Sequence, residues 1–284
     1  MSTAETFQRN RPRLLSLAYR MLGSMAEAED AVQEAWLRWT GADTSRIESP
    51  DAWLTATVSR LCVDQLRAAQ VRRADYPGPW LPEPVHTGEP PDTASISLAF
   101  LVLLESLTPD ERAAYLLHEI FDYSHAEVAT FLGKEEAACR QLAHRARQRV
   151  QEGRPRFAPS REQHQRILGA FFQAALQGDL TGMKQVLAED ATLWTDGGGR
   201  VRGAASKPVH GAEAIARLFQ LLSQRFPESA GLRYGMEEVN GWPAIVGRTD
   251  GAASFVLTTE TDGTKILALR AVLNPEKLRL APLA

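Results

Sequence analysis

Cysteine is nearly absent from this 284-residue chain, with only Cys62 and Cys139. Both stand inside helical patterns, so a disulfide framework is excluded, each reads as a small buried hydrophobe, and a reducing cytoplasm is the expected home. Long apolar runs are also missing: nothing approaches the roughly 18 residues that cross a bilayer, and the first residues lack a basic-then-apolar signal segment. A soluble chain without a membrane partner is expected. An excess of positive charge is missing too, since 32 Lys and Arg face 35 Asp and Glu for a net charge of −3. With a pI near 6.1, the chain does not grip duplex DNA by bulk electrostatics, and any nucleic-acid role needs local basic patches or affinity borrowed from a partner. Metal-ligand clusters, a nucleophile elbow and a phosphate-binding glycine fingerprint are lacking, so no metal, cofactor or catalytic residue is expected. In the last third Asp190, Asp196, Glu238 and His210 are the titratable groups that could face a cavity, and no spacing singles one out. Asp196-Gly197-Gly198-Gly199 lacks the strand-to-helix setting of a phosphate loop and reads as a flexible turn at a strand end.

Proline and glycine, in contrast, are concentrated. Residues 77–91 hold Pro77, Pro79, Pro82, Pro84, Pro90 and Pro91 with Gly78 and Gly88, which no helix or central strand accommodates; this is a linker. A second break runs from Gly153 to Ser160. The division is 1–75, a linker 76–95, 96–152, and 160–284.

The first unit is helical by its punctuation. Gly23 ends one helix, Ser24 with Glu27 forms a capping box for the next, and Ser49-Pro50 opens a third. Phe7, Leu14, Ala18, Met21 and Leu22 share one face of the first helix, and Ala28, Val32, Ala35, Trp36 and Trp39 one face of the second. In the next unit Thr108-Pro109-Asp110-Glu111 is a strong start signal. Ser124 and Glu127 cap a short helix that stops at Gly133, and a new helix begins about two residues later and runs to Val150: a helix-turn-helix. From Arg161 two or three helices precede several strands, with Asn240-Gly241, Asp250-Gly251 and Asp262-Gly263 as hairpin turns around 242–248, 252–260 and 265–273. This predicts an antiparallel meander packed with helices, an α+β unit.

Three surfaces carry candidate chemistry. Glu27, Asp30 and Glu34 line one stripe of the second helix, read either as a solvated acidic face or as a docking strip for a basic partner helix. The last helix of the helix-turn-helix turns Cys139, Leu142, Ala143, Ala146 and Val150 one way and Arg140, Gln141, His144, Arg145 and Gln148 the other. That polar face suits major-groove reading, with Lys134, Arg147, Arg149, Arg154 and Arg156 adding positive field. The third helix carries Trp53, then Arg60, Arg67, Arg72 and Arg73; Trp53 is either a core anchor or a platform for an unpaired base.

These residues resemble one family over nearly the whole chain. AEDAVQEAWLRW is similar to the polymerase-docking helix of sigma factors, with Asp30, Gln33 and Glu34 at its motif positions. The resemblance implies that they bind the coiled coil of the largest subunit of core RNA polymerase. The segment PDAWLTATVSRLCVDQLRAAQVRR looks like the one that melts and reads the minus-ten promoter element, implying roles for Trp53, Arg60 and Arg67. EEAACRQLAHRARQRV is similar to the reader of the minus-thirty-five element, with Arg140, Gln141, His144 and Arg145 toward DNA. No central regulatory domain intervenes, as in extracytoplasmic-function (ECF) sigma factors. Tyr76, Gly78, Pro79, Trp80, Leu81 and Pro82, with Glu83 and Pro84, resemble the YxGPWLPEP signature of the ECF subgroup that carries a C-terminal SnoaL-like domain. The DGGG element (Asp196, Gly197, Gly198) and the NPxKL element (Asn274, Pro275, Lys277) accompany it. Two departures stand out: Glu135 replaces a serine cap at the recognition helix, and Pro77 stiffens the linker.

The fold this implies is two all-α sigma domains followed by an α+β, cone-shaped SnoaL-like domain with room for a small ligand in its cavity. The implied function is promoter-specific initiation with core RNA polymerase and promoter DNA as partners, modulated in cis by the C-terminal domain through the linker, DGGG and NPxKL residues. Two rival readings stand beside it: a SnoaL-type isomerase or cyclase fused to a DNA-binding module, and a repressor acting without polymerase.

Overall fold

The computed structural model describes residues 2–86, 97–153, 159–201, 203–225 and 231–279. The chain forms two compact units: Met1–Ala74 with Phe100–Arg154, and Asp75–Ala99 with Pro155–Pro282. The described part of the proline-rich segment, up to residue 86, thus folds with the C-terminal part. Arg154, Arg156, Gly88, Pro90 and Pro91 lie outside the described residues, as does the side chain of Arg72.

In the first unit α1 (Thr3–Leu22) starts at a Ser2–Glu5 capping box and ends at Gly23, whose φ of 71° is the left-handed conformation that glycine adopts without strain. Then follow α2 (Met25–Gly41), capped by Ser24, and α3 (Pro50–Ala74). Phe7, Leu14, Ala18, Met21 and Leu22 are buried against Ala28, Val32, Ala35 and Trp39 of the neighbouring core. The Trp39 indole N–H donates to Thr3 O at 3.0 Å, so the largest core side chain is also satisfied. Helices α4 (Leu98–Leu104) and α5 (Pro109–Tyr115) follow. The Thr108–Glu111 box and Pro109 open α5 as its spelling predicts. A π-helical segment, Leu116–Ile120, that no sequence signal announced leads to α6 (His125–Leu132). Gly133 (φ 64°) turns the chain into α7 (Glu136–Gly153), whose Cys139, Ala143, Ala146 and Val150 are buried.

In the second unit α8 (Arg161–Gln177) and α9 (Leu180–Val186) lead into β1 (Leu187–Asp196), β2 (Val209–His210) and α10 (Ala212–Arg225). Strands β3 (Leu232–Val239), β4 (Trp242–Thr249), β5 (Ala252–Thr261) and β6 (Ile266–Val272) follow. Asn240 and Asp250 take positive φ before Gly241 and Gly251, as two-residue hairpins require. The six strands lie in the order β2-β1-β6-β5-β4-β3. The expected antiparallel meander is β4 to β6, with β3 extending it, and β1 adds a parallel pairing with β6. The chain leaves β1, crosses through α10 and enters the meander at its far edge. Leu193, Ile245, Leu257 and Leu269 form one core with Leu168, Phe171, Met183 and Ile215 of the helices. Side chains alternate along a strand, so Trp194 and Asp196 take the opposite face from Leu193.

Candidate functional site

On that opposite face Asp196 closes β1 with none of its surface exposed. Each carboxylate oxygen accepts two donors. Oδ1 takes the Tyr76 hydroxyl at 2.6 Å and the Gly198 N–H at 3.1 Å; Oδ2 takes the Leu81 N–H at 2.9 Å and the Lys277 ammonium at 2.7 Å. Lys277 also donates to Leu81 O at 2.6 Å and sits over the Trp80 ring, 4.1 Å from its centre. Asn274 donates to the Tyr76 hydroxyl at 3.0 Å, and its N–H bonds Asp196 O at 2.9 Å. Further along, the Asn240 side chain accepts from Val85 N–H while Val85 O accepts from Asn240 N–H, a reciprocal amide pair on the linker backbone. The structure therefore brings Tyr76, Trp80, Leu81, Asp196, Gly198, Asn274 and Lys277 together, three stretches far apart in the chain. Burial, then the bond to Asp196, pushes the Tyr76 phenol up from its ordinary range.

The glycine run has a steric reason. A Cβ on Gly198 would stand 2.6 Å from the Asn274 amide, and one on Gly199 would stand 2.6 Å from Cγ of Pro77, both at positive φ. Pro77, read as stiffening the linker, thus also packs on this turn. Gly197 would meet Ala204, and Gly78 (φ 96°) passes Ser206. The expectation of a flexible turn is corrected: the turn is pinned by the carboxylate that starts it. Pro79 is half-buried, and Pro82 is buried alongside Leu81. Pro275 opens a short 3-10 turn, Pro275–Lys277, capped by Asn274, that aims Lys277. The other titratable candidates do not converge: Asp190 is exposed, His210 meets Thr192 at a sheet edge, and Glu238 pairs with Arg161. Among the described residues no cluster of three or more His, Cys, Asp or Glu is placed to hold a metal ion, and no helix is long and apolar enough to cross a membrane.

In the helical unit Asp30 and Gln33 are exposed on α2, and Glu34 is ion-paired with Arg38 at 2.9 Å one turn on. Leu37, 57% exposed, extends the same face. Trp53 lies half-buried against Trp39, with ring centres 5.4 Å apart, as a core anchor does. Arg60 and Arg67 are exposed, yet each is held by partners within the protein. Arg60 donates to Phe131 O at 2.6 Å and Thr130 O at 2.9 Å, capping the end of α6, and Arg67 forks onto Asp110 at 3.1 and 3.2 Å. Arg112, almost wholly buried, donates twice to Arg20 O at the end of α1 and once to Glu105. On α7, Arg140, Gln141, His144 and Arg145 are all exposed, with Arg140 paired to Glu136 and Arg145 to Glu111. The second arginine pair on Glu111, through Arg149, and the Asn240 grip were not foreseen. Glu111 read only as a cap and Asn240 only as a turn residue.

Two family models match this chain: sigma-70 region 2 over residues 6–72, which spans α1 to α3, and sigma-70 region 4 over residues 97–150, which spans α4 to α7. The ECF RNA polymerase sigma factor SigJ of Mycobacterium tuberculosis is 39% identical over 98% of this chain and 93% of its own length. The chain belongs to the ECF RNA polymerase sigma factors. The crystal structure of SigJ from the same organism superposes over 99% of this chain and all of that one, with a TM-score of 0.76 and 35% identity. The probable ECF sigma factor SigI of M. tuberculosis is 31% identical over 95% of the chain and 92% of its own length. This sigma factor accordingly binds core RNA polymerase and directs promoter-specific initiation through regions 2 and 4. Its α+β domain follows both regions, and its linker is bound by that domain.

Proposed function

We propose that the C-terminal, SnoaL-like domain of this ECF sigma factor sets its activity in cis by holding residues 76–86, the segment that joins region 2 to region 4. The observation that carries this is the Asp196 carboxylate, whose four donors include two from the linker. A tether of fixed path sets how far apart two promoter-reading regions stand, and thereby the effective concentration of the second contact once the first has formed. The exposed stripe Asp30, Gln33 and Glu34 docks on the coiled coil of the largest polymerase subunit in the cytoplasm. Arg140, Gln141, His144 and Arg145 read the minus-thirty-five element, while Trp53, Arg60 and Arg67 serve the minus-ten segment. Arg60 and Arg67 then have two partners in turn: α6 and Asp110 in the isolated chain, and DNA phosphates in the holoenzyme. Regions 2 and 4 must part for the second to form. The protein acts without catalysis of its own.

Run-off transcription with purified core polymerase tests the assignment, comparing the full chain, Asp196→Asn and a version ending near Pro159. The Asn variant keeps shape and loses the charge that holds Lys277, so its output shifts toward that of the shortened version. Output identical to the unaltered chain, while the shortened version differs, would remove the linker from the regulatory route. Asp30→Lys with Glu34→Lys abolishes holoenzyme formation, and unchanged co-purification with core polymerase would contradict the docking stripe.

A further inference from the structure

Glu111 lies at the start of α5, yet its carboxylate does more than close the capping box with Thr108. It is 3% exposed and accepts from the Thr108 N–H at 3.1 Å and the Thr108 hydroxyl at 2.9 Å. Two guanidiniums from successive turns of α7 converge on the same group: Arg145 Nε at 3.0 Å and Arg149 Nη1 at 2.6 Å. Burial pushes this carboxyl up, but the Thr108 bonds, the Arg145 bond and the Arg149 charge outweigh it and hold the group below the usual carboxylate range. It is thus an anion across the physiological range, fixed by a helix start and presented to the helix that carries the exposed polar face.

We infer that Glu111 is a positioning residue for promoter reading, holding Arg145 by Nε and Arg149 by Nη1 so that their remaining nitrogens are presented to DNA in a fixed orientation. The inference rests on the proposal that Arg145 reads the minus-thirty-five element. An arginine side chain has many rotamers, and bidentate contact with a guanine needs one of them. Arg145 is engaged through Nε, the inner nitrogen, while its side chain is 53% exposed, the geometry in which a buried acceptor orders a guanidinium without covering its outer edge. The role parallels that of outer groups that orient metal ligands. Arg149 is anchored through Nη1 with its side chain 45% exposed, which suits a phosphate contact that adds affinity without sequence information.

The test uses full-chain holoenzyme on a duplex selected by that holoenzyme from random DNA, and on the same duplex with its upstream element scrambled. Arg145→Ala lowers the ratio of intact to scrambled affinity about tenfold, the scale of one lost bidentate base contact. Glu111→Gln, which keeps the shape and the acceptor for the Thr108 cap but not the charge for two arginines, lowers that ratio at least threefold with holoenzyme assembly unchanged. The double variant discriminates no worse than Arg145→Ala alone, because Glu111 acts through Arg145. Full discrimination by Glu111→Gln, with Arg145→Ala impaired, overturns the positioning role. An equal fall on both duplexes that adds to the Arg145→Ala effect also overturns it, since that is general loss of fold. Full discrimination by Arg145→Ala overturns the reading beneath it and is told apart by that variant alone.

Discussion

The two units join distant stretches of chain by the same kind of contact, a charged side chain on another element, but they set it in different surroundings. Between regions 2 and 4 two of the crossing arginines are at the surface: Arg60 is exposed, and the Arg67 side chain, 53% exposed, faces Asp110. Such pairs contribute roughly 0–1 kcal/mol each and weaken with salt. Arg112 is deeply buried there, with each donor nitrogen taken, and Arg73 pairs with Glu105 at 19% exposure. In the C-terminal unit the charged centre, Asp196, has no exposure and both oxygens filled, and removing one member of a buried, satisfied set costs several kcal/mol. Nearly identical chemistry is therefore set partly at the surface in one place and wholly inside in the other, and burial decides how much each charged contact contributes.

The largest effect expected of any single change is that of Asp196→Ala. It removes the carboxylate that Lys277, the Tyr76 hydroxyl and the Leu81 N–H share and lowers the stability of the C-terminal unit by about 3–5 kcal/mol. Urea unfolding measures this, and limited proteolysis reports new cleavage within residues 76–86. A loss under about 1 kcal/mol would place the clasp on a par with a surface pair and break the comparison.

Next comes acid. His164 is buried under Trp242 and bonded to Thr259, and burial, then the nearby Arg161 charge, lower its pKa to about 4. The unfolded imidazole takes a proton near pH 6.5 and the folded one resists until about 4, so the stabilisation is complete above 6.5 and is lost as pH falls between those values. The loss is about 3 kcal/mol. The slope of stability against pH should flatten across that window in His164→Gln, and equal slopes in both proteins would refute the assignment.

Gly199→Ala sharpens the comparison on the steric side. Its Cβ runs into Pro77 at a φ of 70°, and strain of about 1–3 kcal/mol is expected, read as a lower unfolding midpoint. Pro77→Ala in the same chain should recover part of it; no recovery would mean that φ strain alone is responsible. The smallest effect is that of Arg67→Ala, under about 1 kcal/mol in low salt and vanishing in high salt. A larger, salt-independent loss would make the region 2 to region 4 junction as durable as the clasp.

Local punctuation made much of the fold legible. Gly23, Gly133, the serine and threonine caps and the Asn-Gly and Asp-Gly pairs mark helix ends and hairpins, because each of them satisfies or strains its own neighbours. Strands β4, β5 and β6 fall within a residue or two of expectation. The π-helical stretch at Leu116–Ile120 was not legible, since nothing in LLHEI distinguishes it from an ordinary helix end, and neither was the parallel pairing of β1 with β6, which joins segments separated by a helix and four strands. The site divides the same way. The exposed faces of α2 and α7 follow from helical spacing, whereas two of the partners of Asp196, Tyr76 and Leu81, lie more than a hundred residues away in the linker, and only the packed sheet brings them together. Arg60 looked identical to a phosphate-binding arginine until α6 placed its last carbonyls against it.

Lys277 closes the hold on Leu81, and this has a consequence for how the protein is born. Synthesis runs from the N-terminus, so both sigma regions leave the ribosome before Asp196, Asn240, Asn274 and Lys277 exist. At 5–20 residues per second the strand between the regions goes roughly ten to forty seconds without its last fastener. A nascent or prematurely terminated chain therefore passes through, or stays in, an unfastened form.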